Sequence, residues 1–485
     1  MKHLLLSLLS AMLIGGSLHA ADTDYVVIAR DSLLMNPQWK AVAQTLVKRH
    51  KATLLTSRQK PADVLPQLQQ LQPRYVAVVE QPERLDPSFV MELHRLSRQV
   101  DDDIYADFLL GIITGRDAAA AMRMVKHAQK PFVMRNCVTT IQELNSGKWF
   151  NRMGYLDDHV SGQWGEKEGP HQPVTTGRNF PEGERDSQAE MKRFGELYAK
   201  YDPDLVVTAA HATERNLEMP FSLGNVKPFA GRLYLDLESG PRFLPETGRR
   251  KVYLPIGNCL IGNVNRTRES MAIAWMNAQD AATFVGYVVV TWHGRNGWGG
   301  LKYLLTNPGR YTVAQAFYLN QQDMLTQLHR WHPQLVTELY PYEKGHMAGR
   351  DVLRSILGEQ FTMDQLGFFY DRDVLAYYGD PKWDARLQQV KGETDFKVSI
   401  RQKDGRATVT VRTLPGFSLK RMQGDGWKPE SVLDLPFSYF FPHRLKHPRL
   451  APGQKWDATV DENFLLIHNA DFQPGQTYQI ELITD

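Results

Sequence analysis

Short apolar runs rich in β-branched residues, separated by helix-like segments, constrain the fold of this chain more than any other feature. Tyr25–Ala29 reads as a buried strand and leads into a helical stretch over Trp39–His50. Ala52–Thr56 and Tyr75–Val79 follow as strands, with Leu65–Leu71 helical between them. Leu109–Ile113 is another apolar run, closed by Thr114-Gly115-Arg116 and followed by the Ala-rich helix Ala118–His127. Such alternation predicts α/β architecture, a parallel sheet covered by helices on both faces.

Residues 147–186 interrupt the rhythm with Gly, Pro, Asp, Glu and His, and read as a long loop between two α/β units. The second unit runs from a helix at Gln188–Tyr201 to a helix at Ser270–Phe284, then a strand at Gly286–Thr291. Helical segments, including Thr312–Leu328, fill most of residues 300–375. From about residue 392 the pattern becomes two-residue alternation. Phe396–Arg401 and Ala407–Arg412 flank Asp404-Gly405, a hairpin signal, and Phe464–Asn469 and Thr477–Ile483 continue an all-β module. The expected division is 1–20, 21–150, 151–390 and 391–485.

Residues 1–20 form the first of these segments. Lys2 and His3 precede an apolar stretch from Leu4 to Ile14, and Gly15, Gly16, Ser17 and Ala20 supply small residues. This reads as a signal peptide cut after Ala20, too short to span a bilayer. No later run is long and apolar enough for a membrane span, so an exported protein, periplasmic or secreted, is expected. With 57 basic against 54 acidic residues the net charge is +3, which gives no support for a nucleic-acid surface.

Two strand-like runs end in residues able to do chemistry. Asp204-Leu-Val-Val-Thr-Ala-Ala-His211 stops at an imidazole, and Val252-Tyr-Leu-Pro-Ile-Gly-Asn-Cys259 at a thiol. Chemistry in parallel α/β sheets collects at the carboxyl edge, so neighbouring strands would place the two groups together. Their separation, 259 − 211 = 48 residues, is close to the roughly 50-residue His-before-Cys spacing of caspase-type peptidases. A thiol attacks as thiolate and needs a base, which His211 would supply. The backbone N–H groups of Ala212 and Cys259 are candidates for an oxyanion hole. Gly257 and Gly262 allow a sharp turn and close approach of a substrate. An alternative use of Cys259 is a disulfide with Cys137, the other cysteine of the chain.

On these residues the chain resembles the gingipain-type cysteine peptidases, of the caspase, legumain and gingipain clan. Tyr25–Ala29 with Asp31-Ser32 resembles the family's opening strand and turn, and Asp103–Asp107 with Gly111–Arg116 its Tyr–Asp loop and Gly-Arg strand end. Tyr201–His211 resembles the catalytic His segment; Cys259, Ser270-Met-Ala, Met276 and Gly286–Val290 resemble the nucleophile, helix and strand. Leu375–Pro381 resembles the segment that closes the catalytic domain, and Ala212 stands where the family has Gly. The resemblance implies a caspase-like parallel-sheet sandwich in two subdomains, followed by a small immunoglobulin-like β domain. It further implies endopeptidase activity on protein or peptide substrates, with no cofactor, a Cys259–His211 dyad, and Trp298 in the pocket wall. Trp292 and His293, in the loop between them, are expected to line the same pocket.

Two other readings stand beside this one. A catalytically inactive scaffold that kept the fold would account for Ala212 and for the lack of a placed acidic partner for His211. A carbohydrate-active enzyme would need paired carboxylates in one cleft, and no such pair stands out. His443 and His447 read as surface histidines, Asp101-Asp102-Asp103 as a solvated acidic turn, and Phe368-Phe369-Tyr370 as core.

Overall fold

The computed structural model describes residues 24–291, 295–424 and 434–485, without the side chains of residues 295–299. Residues 1–20, expected to be a signal peptide, lie outside the described residues, as do Trp292, His293 and the side chain of Trp298. The architecture is mixed α/β, built on one mostly parallel twelve-stranded sheet. Its strands in chain order are β1 (Tyr25–Arg30), β2 (Thr53–Ser57), β3 (Tyr75–Val79), β4 (Leu109–Ile113), β5 (Asn136–Thr139) and β6 (Arg152–Leu156). They continue as β7 (Gln163–Lys167), β8 (Thr175–Arg178), β9 (Leu205–Ala209), β10 (Lys251–Ile256), β11 (Ala281–Tyr287) and β12 (Leu375–Gly379). The spatial order is β2-β1-β3-β4-β12-β11-β10-β9-β5-β6-β7-β8.

The central strands are mostly apolar because helices cover both faces. Residues Lys251–Ile256 and Ala281–Tyr287 are buried without exception. The helices Pro37–His50, Ala118–His127 and Ser187–Tyr201 begin where the sequence places a cap: the side chains of Asn36, Asp117 and Asp186 each accept from backbone N–H groups of the first turn. One contiguous core joins Val26, Ile112, Val206, Tyr253 and Tyr378, and the sheet continues across residue 150 because β5 pairs with β6.

Two expectations are corrected. The segment read as a loop over 147–186 contains β6, β7 and β8, which extend the sheet. Their glycines are the reason they were not legible as strands. Tyr155 is paired with Gly165 and Trp164 with Gly177, and a Cβ at either glycine would lie 2.1 or 2.3 Å from the opposing ring. The rings occupy the space that the glycines leave. The helix expected over Ser270–Phe284 covers only Met271–Asn277, and the following strand begins at Ala281, not Gly286. Asp280, at φ 52°, turns the chain between them.

The C-terminal region carries a four-stranded and a three-stranded antiparallel sheet. Phe396–Lys403 and Arg406–Thr413 form the expected hairpin, with Asp404 and Gly405 both at positive φ. Val409 and Val411 of one sheet and Phe437 and Leu465 of the other share a second core. Buried Arg74 joins this region to the α/β body. It donates to the carbonyls of Phe441 and Pro442 and stacks 4.3 Å from the Phe440 ring centroid.

Candidate active site

The site begins with register. β9 and β10 pair in parallel from Leu205 opposite Val252 to Ala209 opposite Ile256. His211 follows β9 by two residues and Cys259 follows β10 by three, so both leave the same edge from strands spaced about 4.8 Å apart. Gly257, at φ 64°, turns the chain out of β10 two residues before the thiol.

A buried, neutral hydrogen-bond chain fixes the two exits to each other. The Asn258 amide donates to the Ala210 carbonyl at 2.7 Å, and its oxygen accepts from the Thr208 hydroxyl at 2.8 Å. Thr208 in turn lies 2.6 Å from the Tyr253 hydroxyl. Asn258, Thr208 and Tyr253 are fully buried. The residue before the thiol is therefore bonded to the residue before the imidazole. Sequence reading missed this clasp. Its one signal is polar Thr208 inside an otherwise apolar strand, which a buried strand keeps only with a partner.

The thiol is half-buried and hydrogen-bonded to Thr291, whose N–H reaches Sγ at 3.2 Å and whose carbonyl is 3.5 Å away. Thr291 follows β11, which borders β10 on the side away from β9. Among the described residues no hydrogen bond joins Cys259 to His211, whose side chain is exposed. Both cysteines are free, and Cys137 is fully buried in β5, so the disulfide alternative is absent from this structure.

Ala212 lies on a short strand with Thr213, paired antiparallel to Asn216–Glu218. The N–H of Glu218 bonds the His211 carbonyl at 2.9 Å, which makes Ala212–Leu217 the non-hydrogen-bonded pair. Its N–H accordingly points away from the partner strand. Ala212 has no positive φ, so its Cβ imposes no strain in this conformation.

Behind the thiol, Gly262 and Gly286 touch backbone to backbone. A Cβ on Gly262 would fall 2.3 Å from the Gly286 oxygen. Gly262 also accepts from Tyr378 at 2.7 Å, so the segment after Cys259 is seated directly on β11 and β12.

Two groups of side chains have a composition suited to a cation, Glu143 with Asp158 and His159, and Asp101 with Asp103 and Glu462. Neither includes Cys259 or His211. The second group adjoins Asp107, whose carboxyl is pushed up to about 9 by burial and by Asp101. His443 is exposed and lies 3.2 Å from Gln402, and His447 is exposed as well.

No protein-family model and no curated protein matches the sequence. Among solved structures, similar ones are the Arg-specific cysteine proteinase gingipain R (RgpB) and the complex of Porphyromonas gingivalis RgpB pro- and mature domains. The first is 9% identical, with 96% of this chain and 92% of that one covered and a TM-score of 0.42. The second is 9% identical, with 95% and 93% covered and a TM-score of 0.41. A third, a protease, is 8% identical over 96% and 97% of the two chains, with a TM-score of 0.39. Likeness of this degree assigns no chemistry to any side chain here.

Proposed function

We propose that this chain is an exported cysteine-type endopeptidase in which Cys259 and His211 form the catalytic dyad. The observation that carries the reading is the clasp between adjacent parallel strands, which ties the residue preceding the thiol to the residue preceding the imidazole. Cys259 gives up its proton to His211 and attacks the scissile carbonyl carbon. The tetrahedral oxyanion is stabilised by the N–H groups of Ala212 and Cys259. The C–N bond then breaks, His211 returns the proton to the departing amine, and water hydrolyses the thioester to release the acid and the thiol. The chain's own groups balance every step.

In this reading residues 21–150 and 151–390 are two subdomains of a caspase-like unit sharing one sheet, and residues 391–485 are an immunoglobulin-like domain. The test is alkylation of the native protein at about pH 6, where a thiol of ordinary pKa reacts slowly, together with hydrolysis of a peptide library. Selective labelling of Cys259 that collapses in His211→Ala, and hydrolysis lost by about 10³-fold or more in Cys259→Ser, are expected. Slow labelling indifferent to His211 would mean an inactive scaffold.

A further inference from the structure

The hairpin that begins at His211 leads into a cleft that the dyad does not use. Five short antiparallel strands, from Ala212–Thr213 to Arg242–Phe243, form a separate sheet beside the Met271–Asn277 helix. Residues of this sheet, with Arg116 and Glu269, line an open cavity of about 610 Å³. Arg116, Arg215 and Lys227 line it together with Phe229, Ala230 and Tyr234, and Glu269 is the lining carboxylate. Three cations against one anion give the wall a positive balance.

These groups differ in how they are held. Arg116 donates to Glu269 at 2.7 Å, while its Nε is buried without a hydrogen-bond partner. Lys227 is paired with Asp236, but Arg215 is exposed in the Glu214-Arg215 turn, four residues beyond His211. Phe229 is 63% exposed, in a chain whose large apolar side chains are mostly buried.

That exposed ring stands on a strongly constrained turn. Ala230, a non-glycine residue, sits at φ 50°, a conformation that costs of order 1 kcal/mol and persists only where its surroundings enforce it. Gly231 supplies the enforcement. Its N–H bonds Glu269 at 3.2 Å, its carbonyl accepts from Asn277 at 2.9 Å, and Arg116 fills the place where a Cβ would stand. The turn is thereby bound to the helix with its phenyl ring held out toward solvent. A rigid exposed aromatic beside cations is a recognition surface arranged before its ligand arrives.

We infer that this cleft binds an acidic segment of an extended polypeptide, with Arg215 and Lys227 facing its carboxylates and Phe229 packing against an apolar neighbour. The segment is substrate chain if the peptidase reading holds, since the cleft and His211 share one hairpin. Binding itself does not require that reading, so the two fail separately.

The test uses the full chain carrying Cys259→Ala, which prevents turnover, and fluorescence anisotropy with two fluorescein-labelled peptides. One alternates Glu and Leu; the other carries Gln in place of each Glu. Tighter binding of the Glu peptide by about tenfold at low salt is expected, shrinking in 0.5 M NaCl. Arg215→Glu removes that preference, and Phe229→Ala weakens both peptides alike. Both substitutions are on exposed side chains, so retention of the wild-type melting temperature checks the fold. Equal affinity for the two peptides, no binding of either, or a preference that survives Arg215→Glu would overturn the inference.

Discussion

Asp380 and Asp107 are both buried carboxylates in this molecule, and they titrate in opposite directions. Asp380 is fully buried and accepts from Tyr25 at 2.9 Å, from the Lys382 N–H at 3.0 Å and from His50 at 2.7 Å, with Arg49 at 3.5 Å. Burial alone would raise its pKa; the His50 bond and the charge beside it hold the carboxyl below its ordinary value. The Asp107 side chain accepts from the Val100 N–H at 3.2 Å and faces Asp101 and Asp103. Burial and these like charges push it up to about 9. Depth is shared, so partners decide the charge.

The sharpest way to break this comparison is Asp380→Asn. Losing the carboxylate leaves Arg49 without its counter-charge and the His50 ring without its carboxylate partner, and a cost of about 3 kcal/mol at neutral pH is expected in denaturant unfolding. Because the folded pKa is depressed, that stabilisation is present above the unfolded value near 4 and is lost as pH falls through the folded one. The difference between wild type and variant should therefore shrink below about pH 4.

Asp107 has the reverse sign. Its folded pKa is raised, so its stability contribution is complete below about pH 4 and declines as pH rises toward 9. Asp107→Asn should flatten the fall in melting temperature over that interval, by roughly 3–5 °C at the alkaline end. A variant as alkali-sensitive as wild type would show that Asp107 carries its charge without penalty.

The Asn258 clasp sharpens the comparison from the neutral side, since it has no charge to titrate. Asn258→Ala leaves the Ala210 carbonyl and the Thr208 hydroxyl without this partner, costing about 2 kcal/mol. Under the peptidase reading kcat falls by about 10²-fold with KM little changed, because the two strand ends lose their relative position. Stability should drop by the same amount at pH 5 and pH 8. Thr208→Val removes the neutral bonds to Asn258 and to Tyr253 and is expected to cost about 1–2 kcal/mol in the same assay.

Much of the fold could be read from particular residues. Tyr75–Val79, Leu109–Ile113, Thr477–Ile483 and the Asp404-Gly405 hairpin are strands or turns as expected, because their patterns are local and unopposed. The glycine-bearing strands β6 to β8 were not legible, since the glycines of β7 and β8 depend on a ring from the neighbouring strand. The helix expected through Phe284 stops at Asn277 because Ala281–Tyr287 is taken by a place in the sheet.

The same division runs through the site. Two apolar runs ending in His and Cys are written in the chain, as is their spacing, because strand propensity and residue identity are local. That these strands are immediate neighbours is a matter of register between segments 46 residues apart at Leu205 and Lys251. So is the bond from Asn258 to Ala210, and so is the contact of the thiol with the N–H of Thr291. Partners from distant segments meet only after the sheet has formed, so the sequence determined which groups are present, and the tertiary structure alone decided which of them face one another.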